Sequence, residues 1–379
     1  MVYVTVKQSP MYRQMTLDEF LFGTENKSIM INPNLTNTRT YVSERINPKL
    51  LDHTNVVGMI DALTRFNELT EKLREKDRKT LYKTFHIPKK SGGVRRIDAP
   101  IPELKNALDA LKTIFENNFG ALYHTTAFAY IKGRCTIDAI KRHQSNESKW
   151  FGKYDLSDFF GSTTLEFVMK MLSMIYPFSE VVKIPVGKEE LEKALSLAFL
   201  NGGLPQGTPI SPLITNIMMI PIDHKLSNAF RSFNNQHLVY TRYADDFLVS
   251  SKYSFLFREV EKFIKDTLKE FDAPFTIKAQ KTRYGSSAGS NWNLGLMLNK
   301  DNQITVGHKK KRQFQAMLSS YVMDKLKGVQ WDLYDIQVLD GHRNYYHSVE
   351  GEAIDNLIKH IGDKFGVDIP AMITADLSA

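Results

Sequence analysis

The stretch YTRYADDFLVSS, residues 240–251, places two adjacent aspartates between two short runs of aromatic and aliphatic residues. Such runs on either side of a short break predict a β-hairpin. Ala244, Asp245 and Asp246 are then expected at the turn, where carboxylates can leave the sheet. Two carboxylates this close resist ionising together unless a positive charge lies against them. The stretch therefore indicates a metal ion or a basic partner at the end of the hairpin.

A third carboxylate, Asp155, ends a strand-like run that begins at Trp150. A helix is predicted soon after it, because Thr163 and Glu166 have the spacing of a capping box. Mg²⁺ prefers carboxylate oxygens and phosphates as ligands, and two such ions can hold the attacking and leaving oxygens of a phosphoryl transfer. An Asp pair in a turn is more often a solvated feature, so these residues alone do not decide the chemistry.

The composition predicts a globular protein with a basic surface. The chain has 379 residues, of which 42% are hydrophobic, and a formal net charge of +8. Cations concentrate in KKSGGVRR (89–96) and HKKKR (308–312), which favours an acidic polymer as partner. The single cysteine, Cys135, excludes an internal disulfide and a cysteine-clustered zinc site. Without a signal-like N-terminus or a membrane-length apolar run, we expect a cytoplasmic protein with no membrane partner.

Three regions differ in pattern. Residues 1–79 are an N-terminal extension with a short helix at MTLDEFLF (15–22) and one long or two shorter helices over 55–82. Residues 80–306 mix strands and helices, and residues 307–379 are helical to about 365. Within the middle region, TFHIPKKSGGVRRIDAP (84–100) predicts a hairpin. Helices are expected at 103–119, 136–145, 189–200, 211–230 and 254–271, with Ser211 as N-cap and with Pro221 kinking or splitting its helix.

The order of several further stretches resembles the reverse transcriptases, and in particular the bacterial enzymes related to group II introns, retrons and defence systems. The matching stretches are KKSGGVRRIDAP (89–100), AFAYIKGRCTIDAIKRH (127–143), KYDLSDFFGS (153–162), GGLPQGTPISPLITN (202–216), YTRYADDFLVS (240–250), AQKTRYG (279–285) and NLGLMLN (293–299). The resemblance implies an α+β right-hand polymerase: fingers and a palm of antiparallel sheet backed by helices over 80–306, and a helical thumb over 307–379.

The resemblance assigns the catalytic roles residue by residue. Asp155 and Asp245 match the metal-binding carboxylates, with the backbone carbonyl of Leu156 as a further ligand. Asp246 matches the supporting second aspartate of the family motif. Lys281 lies where the family keeps a lysine that can protonate the leaving pyrophosphate. The implied cofactor is a pair of Mg²⁺ ions, with Mn²⁺ as a substitute.

The residues implied to bind the incoming deoxynucleotide come from the fingers and the loop LPQG. They are Lys89 or Lys90, Arg95, Phe160, Gln206 and Gly207. Arg95 and a lysine would grip the triphosphate, since a guanidinium can bind two phosphate oxygens at once. Phe160 corresponds to the steric gate that leaves no room for a ribose 2′-hydroxyl. Gln206 would lie along the nucleotide, and Gly207 would permit close backbone approach.

Primer and template contacts are expected from two later stretches. They involve Leu294 and Gly295, which resemble the primer grip, and Lys309, Lys310, Lys311 and Arg312 at the start of a helix. Cations at a helix N-terminus oppose its dipole, which favours phosphates alongside them. The stretch LDGHRNYYHSVEGE (339–352) resembles the thumb, where Gly341 would allow packing on the duplex and where Tyr345 and Tyr346 are as readily core residues.

The sequence also bears on which type of reverse transcriptase the chain resembles. Retron enzymes commonly carry a VTG triplet where this chain has SNWNLGL (290–296). The expectation is a stand-alone bacterial enzyme, of the defence-associated or retron type, that makes DNA on a dedicated structured non-coding RNA. Its partners would be that template, the DNA product, deoxynucleoside triphosphates and a toxin or effector. The alternatives are an RNA-dependent RNA polymerase, against which Phe160 argues, and a non-catalytic RNA-binding protein.

Overall fold

The stretch 239–251 forms the hairpin that its sequence predicts. The computed structural model describes residues 3–8, 11–16, 53–89, 92–119, 123–287 and 294–378. Its strands are β1 (Tyr3–Gln8), β2 (Met11–Thr16), β3 (Tyr82–Pro88), β4 (Val94–Pro100), β5 (Trp150–Asp155), β6 (Val239–Tyr243), β7 (Asp246–Ser251), β8 (Arg283–Ser286), β9 (Met297–Leu298) and β10 (Ile304–Thr305). The main sheet has four strands in the order β6-β7-β5-β8. Its hairpin therefore lies beside the strand that ends at Asp155.

Helices make up most of the remaining described chain. They are α1 (His53–Leu69), α2 (Glu71–Glu75), α3 (Pro102–Phe119), α4 (Thr136–Ser145), α5 (Leu165–Leu172), α6 (Phe178–Val181), α7 (Pro185–Ser196), α8 (Ser211–Met218), α9 (Ile220–Phe230), α10 (Phe257–Glu270), α11 (His308–Leu326), α12 (Leu333–Glu350), α13 (Glu352–Phe365) and α14 (Ile369–Ser378). The chain is thus mixed α and β, as predicted. Among the described residues, no helix is both long and apolar enough to span a membrane.

Contacts divide the chain into two compact units. The first comprises Met1–Arg134, Lys153–Leu248 and Leu256–Thr282, and the second comprises Cys135–Gly152, Val249–Phe255 and Arg283–Ala379. In the first unit, α9 packs on β6 and on α10, and the buried ring of Phe230 contacts those of Tyr240 and Phe263. The division into fingers, palm and thumb, with its boundary near residue 306, stays a prediction.

The second unit contains the helices of the C-terminal region. Its buried side chains include Phe314, Leu318 and Tyr321 on α11 and Leu339 and Tyr346 on α12. Helix α12 begins with a true side-chain cap, since Asp332 accepts a hydrogen bond from the backbone N–H of Asp335. A fourth helix, α14, follows the point near residue 365 at which the sequence predicted the helical region to end.

Several predicted boundaries were wrong by a few residues. The cap of α5 is Thr164 and not Thr163, because the hydroxyl of Thr163 donates to the carbonyl of Phe159. The helix expected at 189–200 runs from Pro185 to Ser196, since proline suits the first helical turn. Ser211 is the first residue of α8 and its hydroxyl donates to Pro205 O instead of capping.

Two further expectations concern the N-terminal half. Pro221 does break the helix after Ser211, and the two parts are α8 and α9. The apolar pattern over 55–82 forms the broken pair α1 and α2. Of the helix predicted at 15–22, residues 15 and 16 belong to strand β2, while 17–22 lie outside the described residues.

Candidate catalytic site

Asp155 and Asp245 are brought together at the ends of neighbouring strands. Asp155 is the last residue of β5, and Asp245 lies in the turn between β6 and β7. The backbone N–H of Leu156 donates to the carbonyl of Asp245 at 3.0 Å, so the two segments are hydrogen-bonded next to both carboxylates. Asp246 is not in the turn as predicted, because it is already the first residue of β7. Only Ala244, with φ of 57°, and Asp245 turn the chain.

The carboxylates influence each other's protonation. The Asp155 side chain is buried, with 3% of the residue exposed. Burial raises the pKa of Asp245, and the nearby charge of Asp155 raises it further, while Lys281 and Lys278 oppose the shift. Burial also raises the pKa of Asp246, against the opposing charge of Lys153. The three acidic groups therefore lie within one electrostatic environment.

Three lysines balance these charges. Lys281 Nζ donates to Asp155 Oδ2 at 2.8 Å, and this hydrogen bond raises the pKa of Lys281. Lys278 Nζ lies 3.4 Å from Asp155 Oδ1. Lys153 Nζ donates to Asp246 Oδ2 at 2.9 Å. Of these lysines, only Lys281 was a candidate from the sequence.

Local spacing could have indicated the other two lysines. Lys153 precedes Asp155 by two residues on β5, so both side chains leave the same face of the strand. Lys278 precedes Lys281 by three residues at a short 3₁₀ turn, in which residues three apart lie on one side. Neither spacing is specific enough without knowledge of the partner carboxylate.

Two carboxylate oxygens of the site suit a divalent cation. Asp155 Oδ1 and Asp246 Oδ1 are buried and have no hydrogen-bond partner within the described part of the chain, although Asp155 Oδ1 lies in the longer ion pair with Lys278. A buried acceptor left in this way is costly unless another group satisfies it. No three His, Cys, Asp or Glu side chains of the described residues already form a metal cluster, and lysines pair with the carboxylates instead. Hard, incompletely satisfied oxygens are the ligands that Mg²⁺ takes.

The turn after β5 carries Phe160 and is packed on the loop 202–208. The carbonyl of Phe160 accepts a hydrogen bond from the backbone N–H of Leu204 at 2.9 Å. A Cβ atom on Gly203 would lie 2.0 Å from the carbonyl oxygen of Gly161, so only glycine fits there. This contact fixes the half-buried Phe160 beside the strand end that carries Asp155.

The loop is also joined to the hairpin of β3 and β4. The backbone N–H of Asp98 donates to the carbonyl of Gln206 at 2.8 Å. Gly207 has φ of 120°, and a Cβ atom there would lie 2.9 Å from Ile97 Cγ2. The backbone of Gly207 thus approaches strand β4 closely, whereas the sequence predicted a close approach to the nucleotide.

The β3–β4 hairpin presents its cations at the surface. Arg95 pairs with Ile87 in the strand register and is exposed, whereas the neighbouring Arg96 is bound by Asp98. Lys89 is exposed at the start of the turn, where its N–H donates to the carbonyl of Gly93. Lys90 lies outside the described residues. Arg95 and Lys89 remain the candidates for binding phosphate.

The second unit contains the residues expected to contact the primer. Leu294 and Gly295 both have positive φ, of 58° and 79°, and so form a tight turn. Lys310 Nζ donates to the carbonyl of Gly295 at 2.6 Å. Lys311 forms an ion pair with Glu350 at 2.7 Å. The protein's own acceptors thus offset part of the charge at the N-terminus of α11.

The other two cations of this group, Lys309 and Arg312, are exposed. On α12, Tyr346 is buried and Tyr345 is partly exposed. Of these two tyrosines, which the sequence could assign either to the core or to the duplex, Tyr346 is thus the core residue. A Cβ atom on Gly341 would meet no other atom within 4 Å among the described residues. Gly341 is therefore not needed for packing inside this unit.

Comparison with known proteins shows the family of the chain. Residues 87–315 match the family model for reverse transcriptase (RNA-dependent DNA polymerase). The retron Ec83 reverse transcriptase of Escherichia coli is 30% identical over 292 residues, which cover 75% of this chain and 88% of that protein. The retron Ec73 enzyme of the same species is 30% identical over 245 residues, covering 62% and 75%.

Solved structures with a similar course of the chain include telomerases from two yeasts. Apo telomerase from Candida tropicalis has a TM-score of 0.44 at 12% identity, covering 74% of this chain and 59% of that one. Telomerase from Candida albicans in complex with a fragment of telomeric RNA has a TM-score of 0.42 at 11% identity, covering 79% and 61%. The family match and the retron enzymes carry the conclusion: the chain belongs to the reverse transcriptase family, with the α+β polymerase fold and RNA-directed DNA polymerase activity of that family.

Proposed function

We propose that this reverse transcriptase extends a primer 3′-hydroxyl by nucleotidyl transfer at two divalent cations held by Asp155, Asp245 and Asp246. The observation that carries the proposal is the pair of buried oxygens, Asp155 Oδ1 and Asp246 Oδ1, that lack hydrogen-bond partners among the described residues. They belong to carboxylates at adjoining strand ends, close enough for the charge of Asp155 to raise the pKa of Asp246 as well as that of Asp245. The carbonyl of Leu156 is the proposed additional ligand. Mg²⁺ is the expected ion, and Mn²⁺ could replace it.

When bound, the ions neutralise charge on the attacking and leaving oxygens of the displacement. The chain's own groups position the substrate. Arg95 and Lys89 bind the triphosphate, Phe160 closes the space below the sugar, and Gln206 lies along the nucleotide. Lys281 holds a proton, because its bond to Asp155 raises its pKa, and it can give that proton to the pyrophosphate.

Primer extension with Asp245→Asn tests the catalytic assignment. Deoxynucleotide incorporation on an RNA template should fall about a thousandfold or more, since several kcal/mol of charge stabilisation are lost. Binding of the primer–template should remain. Asp266→Asn, which changes an exposed aspartate on α10, is the matched control and should retain full activity. Unchanged synthesis by Asp245→Asn would refute the assignment.

We further propose that the template is a dedicated, structured non-coding RNA and that the enzyme is of the retron type with a role in defence. The retron enzymes to which the chain is similar, at 30% identity, support this assignment, as does the net charge of +8. A toxin or effector protein is the proposed further partner, and the cytoplasm the proposed location.

Sequencing of the nucleic acid that copurifies with the enzyme tests the template. The wild-type protein should carry one abundant RNA and DNA complementary to part of it. Asp245→Asn should carry the same RNA without the DNA. A heterogeneous mixture of cellular RNA with both proteins would argue against a dedicated template. Proteins recovered with wild type and Asp245→Asn alike would identify the partner independently of synthesis.

A further inference from the structure

Tyr130 is an exposed aromatic residue beside the proposed nucleotide site. Its residue surface is 58% exposed, although tyrosine usually buries most of its ring. The ring lies edge to face with Phe160, with centroids 6.4 Å apart and an angle of 71° between the planes. This geometry is the one that aromatic pairs prefer. Phe160 thus has this exposed aromatic neighbour in addition to the buried Phe159, whose ring centroid lies 5.6 Å away.

The backbone of Tyr130 adopts an unusual conformation. Its φ is 60°, which bulky side chains rarely adopt. Most non-glycine residues with positive φ in the described chain are Asn or Asp, which tolerate it. Ala244 shares the positive φ of Tyr130; it lies in the turn of residues 244 and 245 between β6 and β7, the proposed catalytic turn. Strained backbone of this kind is retained where surrounding contacts hold it, and it clusters at functional sites.

Buried contacts hold this strained segment in place. Asn216 Nδ2 donates to the carbonyl of Ala129 at 2.7 Å, and the N–H of Phe128 donates to the carbonyl of Arg242 at 2.9 Å. Arg242 also donates to Asn216 Oδ1 at 3.2 Å and to the carbonyl of Ala244 at 3.3 Å. The position of Tyr130 is therefore tied to the same residues that fix the catalytic turn.

Two charged residues of the proposed site act on the Tyr130 hydroxyl. Burial raises the pKa of its hydroxyl, the charge of Asp245 raises it further, and that of Arg95 lowers it. Tyr130 is thus within electrostatic range of a proposed metal ligand and of a proposed phosphate-binding residue. If Phe160 lies below the sugar, as the proposed function has it, the Tyr130 ring that packs on Phe160 lies near the sugar as well.

We propose that Tyr130 is a positioning residue for nucleotide selection: its ring holds Phe160 against the sugar and forms a second wall of that pocket. The inference rests on the proposed function, in which Phe160 excludes the ribose 2′-hydroxyl. Without the Tyr130 ring, Phe160 can rotate towards the space that opens, and the 2′-hydroxyl gains room. An exposed tyrosine with no role would leave selection unchanged.

Single-nucleotide incorporation with matched deoxy- and ribonucleoside triphosphates tests the proposal. In Tyr130→Ala, the ratio of the two kcat/KM values should fall about two- to tenfold, the range that the loss of one aromatic pair produces. Tyr130→Phe keeps the ring and should restore the ratio. Tyr253→Ala removes a tyrosine that is 66% exposed outside the site and should match the wild type.

Two results would overturn the proposal. One is an unchanged ratio in Tyr130→Ala at unchanged rates, which would mean that the ring has no role. The other is an unchanged ratio in which both rates fall equally and Tm is lower, which is what a purely structural residue would give. Failure of the proposed function is distinguishable, because the wild type and Tyr253→Ala would then also make no DNA.

Discussion

Arg242 and Asp223 form a fully buried ion pair that contacts the turn of residues 244 and 245. Both side chains are 0% exposed, and the guanidinium donates to both carboxylate oxygens at distances from 2.8 to 3.0 Å. Tyr240 donates to the same carboxylate at 2.8 Å. The guanidinium reaches the carbonyl of Ala244 as well. One buried cation therefore supports the turn that carries Asp245.

Removing one partner of this pair should strongly destabilise the folded protein. Arg242→Met leaves Asp223 charged and buried, and we expect the free energy of unfolding to fall by about 3 to 5 kcal/mol. Changing both residues, with Arg242→Met and Asp223→Leu, should be less damaging than Arg242→Met alone, because no buried charge is left unpaired. Denaturant titration measures both. A double variant less stable than the single would contradict this explanation.

The requirement for metal should depend on Lys153. Its ammonium lies 2.9 Å from Asp246 Oδ2 and repels any divalent cation bound nearby. We expect Lys153→Met to lower the Mg²⁺ concentration for half-maximal synthesis by about two- to fivefold. Lys153→Arg keeps the charge and should resemble the wild type, as should Lys265→Met at an exposed ion pair on α10. A higher Mg²⁺ requirement in Lys153→Met would show that the lysine orients Asp246 instead.

Stability at mildly acidic pH should depend on His143. This histidine is fully buried, next to Ser250 Oγ at 2.6 Å, and burial lowers its pKa to about 3, with a smaller effect from Arg142. Below pH 6.5 this histidine is protonated in the unfolded chain but stays neutral in the folded chain. The free energy of unfolding therefore has its full value above pH 6.5 and decreases as the pH falls below it. From pH 8 to pH 5 the contribution is about 2 kcal/mol.

Unfolding of His143→Gln at both pH values is the measurement for this prediction. The variant is less stable at pH 8, but its further loss at pH 5 should be smaller than that of the wild type by about 2 kcal/mol. His237→Gln, at an exposed histidine, is the control and should keep the wild-type difference. An identical pH dependence in all three proteins would contradict the prediction.

Sugar selection should depend on the size of the ring at Phe160. Phe160→Ala opens the space that would exclude a 2′-hydroxyl, and the preference for deoxynucleotides should fall tenfold or more, on the order of 1.4 kcal/mol. Phe160→Tyr retains the ring and should retain the preference. Incorporation of ribonucleotides into a primer measures both. A wild-type enzyme that already prefers ribonucleotides would favour the RNA polymerase alternative.

Two glycines offer a contrast in packing. Gly203→Ala forces a Cβ atom to 2.0 Å from the Gly161 carbonyl, so the turn beside Phe160 must shift and synthesis should be largely lost.

Gly341→Ala places a Cβ atom that meets no other atom within 4 Å among the described residues, and the position lies inside α12, so the free energy of unfolding should rise by up to about 1 kcal/mol. If Gly341→Ala also weakens primer–template binding, the glycine contacts the duplex as its resemblance to the thumb implies. Stability and binding are measured separately for each.

The local elements of the fold could be predicted because their signals are local. The hairpin around Asp245 follows from two apolar runs and a short break, and Pro221 indicates a helix break by itself. The choice between Thr163 and Thr164 as helix cap could not be made in this way. Either hydroxyl could cap the helix by its position in the sequence. The hydroxyl of Thr163 instead donates a hydrogen bond to the carbonyl of Phe159, which leaves Thr164 as the cap.

The site was predicted where a motif carries the residue, and missed where only the fold brings residues together. Asp155, Asp245 and Lys281 match the family's motifs; Lys281 donates to Asp155, and the charges of both act on the pKa of Asp245, while the catalytic roles stay a prediction. Tyr130 lies in a matching stretch, but its contact with Phe160 depends on backbone bonds to Asn216 and Arg242. Asp223 pairs with Arg242 across nineteen residues and gives no local signal. Residues 17–52 and Lys90 lie outside the described residues.

The hydrogen bond between Asp98 N–H and Gln206 O has a consequence for substrate recognition. It joins the base of the cationic hairpin to the loop expected to lie along the nucleotide. A movement of the hairpin towards a bound triphosphate would pull this loop with it, unless the bond broke. Binding of the phosphates by the hairpin and contact of the loop with the nucleotide would then be coupled through this backbone hydrogen bond. A mispaired nucleotide that displaced the loop would weaken phosphate binding as well.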